Sequence, residues 1–135
     1  MQLATGKQGQ SIAPLGEKTT DSALLVDPDP FALADRSRLL MRTCKDVYAV
    51  TSPRVIYELQ PPEEPFLAVL ASALGAFHLQ AVAEYVRHRW PRSRILIVGE
   101  VGSSLEAELY DENIPCLVSA GEFLLAIEKC RRFRL

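Results

Sequence analysis

Residues 23–135 alternate between two patterns of hydrophobic and polar positions. Short apolar runs of five or six residues, several rich in β-branched side chains, predict buried β-strands. Longer segments between them repeat apolar residues at every third or fourth position, which is typical of amphipathic helices. The predicted strands span 23–27, 46–51, 66–71, 94–99 and 115–119, and the predicted helices span 30–43, 53–60, about 79–90, about 103–111 and 121–133.

This alternation of strands and helices predicts the fold class. Strands that are joined through helices by short connections form a parallel sheet with helices on both faces. For a chain of 135 residues, the expected fold is a flavodoxin-like three-layer sandwich with five parallel strands in the order 2-1-3-4-5. The carboxyl ends of strands 1 and 3 are then neighbours, at the place where ligands of such folds usually bind.

Residues 1–22 differ from the rest of the chain. They are rich in Gly, Gln, Thr, Ser and Lys and have little apolar periodicity, so we expect a flexible N-terminal tail followed by a single domain over 23–135. The overall hydrophobic content of 48% is sufficient for one compact core.

Charge and cysteine content exclude several classes of function. The chain has 15 basic and 17 acidic residues and a net charge of -2, which gives no electrostatic basis for direct nucleic-acid binding. It contains neither an apolar run of the ~20 residues that a membrane span needs nor the residue order of a signal peptide. The three cysteines lack metal-binding spacing, and their odd number fits reduced thiols. We therefore expect a soluble cytoplasmic protein.

Two aspartates give the first indication of chemistry. Asp27 and Asp29 directly follow the first predicted strand, and Pro28 separates them. Carboxylates at the end of a buried strand are a common arrangement for binding a hard cation such as Mg²⁺. Ser72, beside the end of the third strand, is a weak candidate for a nucleophile, because no base is evident near it in the sequence and alternation along a strand predicts that it faces away from Ala71.

The same segments resemble the response-regulator receiver domain, and the resemblance covers about Ala23 to Arg132. Residues 24–30 are similar to its first strand and acidic pair, and 66–75 to its third strand and following loop. Residues 92–100 are similar to its fourth strand, and 114–129 to its fifth strand and final helix.

The resemblance implies that the positions which carry the family's chemistry have changed. The phosphate-accepting aspartate corresponds to Ala71, and the hydroxyl at the end of strand 4 corresponds to Gly99. The lysine of strand 5 corresponds to Ser119, and the aromatic residue that changes rotamer corresponds to Cys116. Ala71 cannot accept a phosphoryl group or bind a metal, and Ser119 brings no positive charge. The resemblance therefore implies a degenerate receiver domain that has no phosphoacceptor, no cofactor and at most weak Mg²⁺ binding.

The expected function is that of an atypical receiver-like signalling domain without enzymatic activity. It would act as a protein–protein interaction module in a bacterial two-component pathway. The family presents the face of helix 4, strand 5 and helix 5, here 104–110, 116–119 and 122–132, to a protein partner or a second copy. The alternative is a flavodoxin-like domain that binds a small molecule or phosphate ligand at loop 99–104 or in the crevice at the strand ends.

Overall fold

The computed structural model describes residues 21–102 and 105–132 and contains one sheet of five parallel strands. The strands are β1 (Ser22–Val26), β2 (Asp46–Val50), β3 (Leu67–Ala71), β4 (Arg94–Val98) and β5 (Glu112–Ile114). The helices are α1 (Pro30–Leu40), α2 (Pro53–Ile56), α3 (Ala76–Arg89) and α4 (Ala120–Arg132), with single 3₁₀ turns at Ser72–Leu74 and Ala107–Leu109. The strand order β2-β1-β3-β4-β5 confirms the predicted flavodoxin-like topology.

Alternation along the two central strands separates the core into two layers. Every residue of β1 and β3 is buried, which is why both strands are continuously apolar in the sequence. Leu24 and Leu70 face a cluster that includes α2 and α3, whereas Leu25 and Val69 face a cluster that includes α1 and α4. The sheet therefore lies between two helical layers and brings the carboxyl ends of β1 and β3 to one edge.

Side-chain hydrogen bonds cap the N-termini of α1 and α4 at the carboxyl ends of the strands. The Asp29 carboxylate accepts a hydrogen bond from Phe31 N at 3.0 Å, and Pro30 occupies the first turn of α1. Before α4, Ser119 and Glu122 form a reciprocal capping box, with Glu122 N to Ser119 Oγ at 3.1 Å and Ser119 N to Glu122 Oε1 at 3.0 Å. Both helices thus begin beside the strand ends.

Two predicted elements were wrong. The fifth strand is Glu112–Ile114, not 115–119, because the Asp111 carboxylate accepts from Ile95 N at 2.8 Å and thereby aligns the preceding segment with β4. Pro115 lacks the N–H that would extend the ladder. Of the helix predicted around 103–111, the described part contains only the 3₁₀ turn Ala107–Leu109, and residues 103 and 104 lie outside the described residues.

The predicted tail, 1–22, lies outside the described residues except for its last two positions. Ser22 already belongs to β1, and Asp21 forms an ion pair with Arg131 at 3.1 Å. Among the described segments, no helix has both the length and the apolar character needed to cross a membrane.

Candidate functional site

Asp27 is buried where β1 ends at the carboxyl edge of the sheet. Its side chain is 2% exposed, and its backbone N–H donates to the Val50 carbonyl at 3.1 Å. Val26 pairs with Leu70, so Asp27 lies level with Ala71, the last residue of β3. The third strand thus ends at Ala71 as predicted, and the residue beside the buried carboxylate offers a methyl group.

The acidic corner is the name used here for Asp27 and Asp29 at the end of β1. An arginine from α1 supplies the positive charge at this corner. Arg36 Nη1 forms an ion pair with Asp27 Oδ2, and the other oxygen, Oδ1, accepts from Asp29 N at 2.9 Å. The Arg36 side chain is only 15% exposed. Because a buried carboxylate without a counter-charge is costly, this pair is what allows Asp27 to remain inside.

Arg36 is not among the predicted site residues, although the sequence contains a signal for it. Ala32, Arg36 and Leu39 lie on one helical stripe, three and four positions apart, and line the side of α1 that faces α4. A charged residue on an inward-facing stripe needs a partner. Helical side chains also lean toward the helix N-terminus, which directs Arg36 to the carboxylate at the end of β1.

Asp29, the other predicted acidic residue, has a structural role. Its carboxylate caps α1, and the residue itself is exposed. Within residues 21–102 and 105–132, no three His, Cys, Asp or Glu side chains are arranged to hold a metal ion. Mg²⁺ requires several oxygen ligands in a near-octahedral arrangement, and the residues around Asp27 do not fit that requirement.

Gly99 and Ser72 meet at the end of β4. Gly99 has φ +113°, and a Cβ there would overlap Ser72 Oγ and come within 3.0 Å of Ser72 Cβ. The Ser72 side chain therefore occupies the space that a side chain at position 99 would need. Gly99 is held by Ile114, whose carbonyl accepts from its N–H at 2.8 Å, and by Asn113, whose side chain donates to its carbonyl at 2.8 Å.

Cys116 and Ser119 follow the fifth strand and are not part of it. This corrects the assignment of both as strand positions, since Val98 pairs with Ile114 and Pro115 ends the ladder. Cys116 is exposed, and Arg36 Nη2 lies 3.8 Å from its Sγ. No residue of β5 is a lysine.

The other two cysteines are buried away from this edge. Burial raises the pKa of Cys130 to about 12 and also raises the pKa of Cys44. Both are therefore protonated at neutral pH, and as buried thiols they are poor nucleophiles.

Comparison with known proteins gives a likeness in structure only. No protein-family model and no curated protein matches the sequence. A response regulator from Thermotoga maritima has a TM-score of 0.67 at 14% identity, over 83% of this chain and 98% of that one. A response regulator receiver domain protein from Clostridium thermocellum has a TM-score of 0.68 at 16% identity, over 83% and 94%. A two-component response regulator of the LuxR family from Aurantimonas sp. has a TM-score of 0.66 at 20% identity, over 86% and 89%. This chain therefore has the fold of the response-regulator receiver domains.

Proposed function

We propose that this protein is a receiver-like signalling domain that is not phosphorylated and acts through protein–protein contacts in a two-component-type pathway. The observation that carries the proposal is the end of β3, where Ala71 lies level with the buried Asp27 carboxylate. Residue 71 has no carboxylate to attack a phosphodonor, and Asp27 has both oxygens engaged. The proposal includes a cytoplasmic location, no enzymatic activity and no direct contact with nucleic acid.

The exposed side of α4 is the proposed contact surface. Glu122, Leu125, Lys129 and Arg132 follow one another at helical spacing and are all exposed, and Leu125 is 63% exposed. In the receiver family the contact face also includes the helix before the fifth strand. Here the described part of the segment before β5 contains only a 3₁₀ turn, so α4 and β5 form most of the corresponding face. In the proposed contact, Leu125 would lie at the apolar centre and the charged residues of α4 at the polar rim.

The absence of phosphorylation is tested by intact-mass spectrometry. After incubation with acetyl phosphate and Mg²⁺, we expect no added phosphoryl group, while an active receiver domain treated in parallel gains one. An adduct that disappears in an Asp27→Asn and Asp29→Asn double variant would contradict the proposal.

The contact surface is tested with two matched variants. Leu125→Glu places a charge on α4, and Val55→Glu places one on α2, where Val55 is 40% exposed. Tagged protein is used to capture partners from extracts of the source cells. We expect Leu125→Glu to lose proteins, a second copy of this chain included, that the wild type and Val55→Glu retain. The same captured set for all three would contradict an α4 interface.

The alternative function is the binding of a small molecule or phosphate ligand. The predicted loop 99–104 is only partly within the described residues, which end before Ser103 and resume at Leu105. An open groove of about 380 Å³ lies instead between α1 and the segment that leads into α4. Thermal stabilisation by a nucleotide or sugar phosphate would favour this alternative.

A further inference from the structure

The acidic corner and the segment before α4 are connected through one side chain. Arg36 contacts Asp27 through Nη1 and the Cys116 thiol through Nη2. An open groove of about 380 Å³ between α1 and the segment that leads into α4 is lined by both Arg36 and Cys116. The Arg36 guanidinium therefore connects the two sides of this groove.

We infer that Arg36 is a built-in cation that replaces a divalent metal at the corner and excludes one from it. The inference concerns the cation at this corner and does not depend on which partner the protein binds. Arg36 is a positioning residue in this role: it fixes the Asp27 carboxylate and the segment at Cys116, and it takes part in no reaction.

The balance of charge supports this assignment. A hard divalent cation such as Mg²⁺ needs several oxygen ligands, and carboxylates balance its charge. The residue level with Asp27 is Ala71, and Asp29 is exposed at the N-terminus of α1, which leaves Asp27 as the buried negative charge among the described residues. One guanidinium neutralises one buried carboxylate, whereas a divalent ion would leave positive charge in a low-dielectric site.

The chemistry of arginine suits a permanent cation. Its guanidinium remains charged at all ordinary pH values and is less strongly hydrated than an ammonium group. Its covalent attachment to α1 makes its local concentration independent of the metal content of the solution. We therefore expect divalent ions to compete poorly for Asp27 while Arg36 is present.

The test restores the missing carboxylate and then removes the arginine. Ala71→Asp, Ala71→Asp/Arg36→Gln and Ala71→Asp/Arg36→Lys are titrated with Mn²⁺, and free Mn²⁺ is measured by electron paramagnetic resonance. We expect Ala71→Asp alone to bind weakly and the Gln double variant to bind at least about tenfold more tightly, since a competing charge has been removed. The Lys double variant keeps a positive charge and should bind as weakly as Ala71→Asp. Adding Asp27→Asn to the Gln double variant should abolish the gain.

Controls separate exclusion by Arg36 from a general effect of charge. Ala71→Asp/Arg38→Gln removes an exposed arginine two positions along α1 and should bind no more tightly than Ala71→Asp. The inference is overturned if Ala71→Asp and the folded Gln double variant bind Mn²⁺ equally tightly. It is also overturned if the wild type binds Mn²⁺ and the Asp27→Asn substitution abolishes that binding. If the Gln double variant is unfolded without metal, refolding on addition of Mn²⁺ supports the inference and failure to refold overturns it. A phosphoryl adduct on the wild type would contradict the proposed function and leave these affinities unaffected.

Discussion

Arg131 offers a sharp test of how the last helix is held to the sheet. Its side chain is 16% exposed, and its Nε lies 3.1 Å from Asp21 Oδ2. The guanidinium carbon lies 4.6 Å from the centre of the Phe66 ring, and Nη2 lies 3.5 Å from the Thr43 carbonyl. One side chain of α4 thus contacts the residue before β1, the residue before β3 and the connection after α1.

The expected cost of removing this charge follows from those contacts. A hydrogen bond to a charged group contributes about 1.5–3 kcal/mol, and a partly desolvated cation–π contact contributes about 0.5–2 kcal/mol. Asp21 and Arg131 both retain some solvent contact, which favours the lower part of each range. Since methionine keeps most of the apolar stem, we expect Arg131→Met to lower the free energy of unfolding by about 2–3 kcal/mol.

Urea denaturation measures this change. The midpoint should fall while the slope stays constant, because the surface exposed on unfolding is nearly unchanged. Arg132→Met, at the exposed neighbouring position, is the matched control and should change stability by no more than about 0.5 kcal/mol. Equal effects of the two substitutions would refute the assigned role of Arg131.

Two further predictions concern pH and backbone strain. Because burial raises the pKa of Cys130 from 9.0 to about 12, its contribution to stability is complete below pH 9 and is lost as pH rises toward 12. Between pH 8 and pH 10, the free energy of unfolding measured with urea should therefore fall by about 1 kcal/mol less in Cys130→Ala than in the wild type. Equal falls in the two proteins would contradict this prediction. Gly99→Ala should cost more stability than Gly75→Ala, because both glycines have positive φ but a Cβ meets Ser72 only at position 99. Equal costs by thermal denaturation would show that the contact with Ser72 is unimportant.

The central strands were predictable because both of their faces are buried. Short, continuous apolar runs bounded by turn residues are typical of interior strands of a parallel sheet, and β1, β3 and β4 all have this pattern. Their predicted bounds agree with those in the structure within one residue. The edge strand β5 was not predictable in the same way, since Glu112 and Asn113 are polar and only one side of the strand is paired. Long-range bonds place it, including Asn113 Nδ2 to the Ile97 carbonyl at 3.0 Å. The apolar run at 115–119 was the stronger local signal and was misleading.

The candidate site was predictable in part. The order of the elements predicted that the carboxyl ends of β1 and β3 are neighbours, and the pairing of Val26 with Leu70 confirms this. The Arg36 contact depends on how α1 rotates against the sheet, a tertiary property that spacing alone does not specify. Ser119 resembled a strand position only while the fifth strand was assigned to 115–119, and in the structure it caps α4.

The two edge strands of the sheet, β2 and β5, differ in how readily they would pair with a strand of another chain. Among the described residues, β5 has three residues and is followed at once by a proline, and both features protect an edge strand from such pairing. The other edge strand, β2, has five residues with the sequence DVYAV, and the charged residues that protect it are Lys45 and Asp46 at its beginning. If this protein aggregates when concentrated or heated, intermolecular pairing should therefore begin at β2, and a lysine substituted for Thr51, the exposed residue that directly follows β2, should slow it.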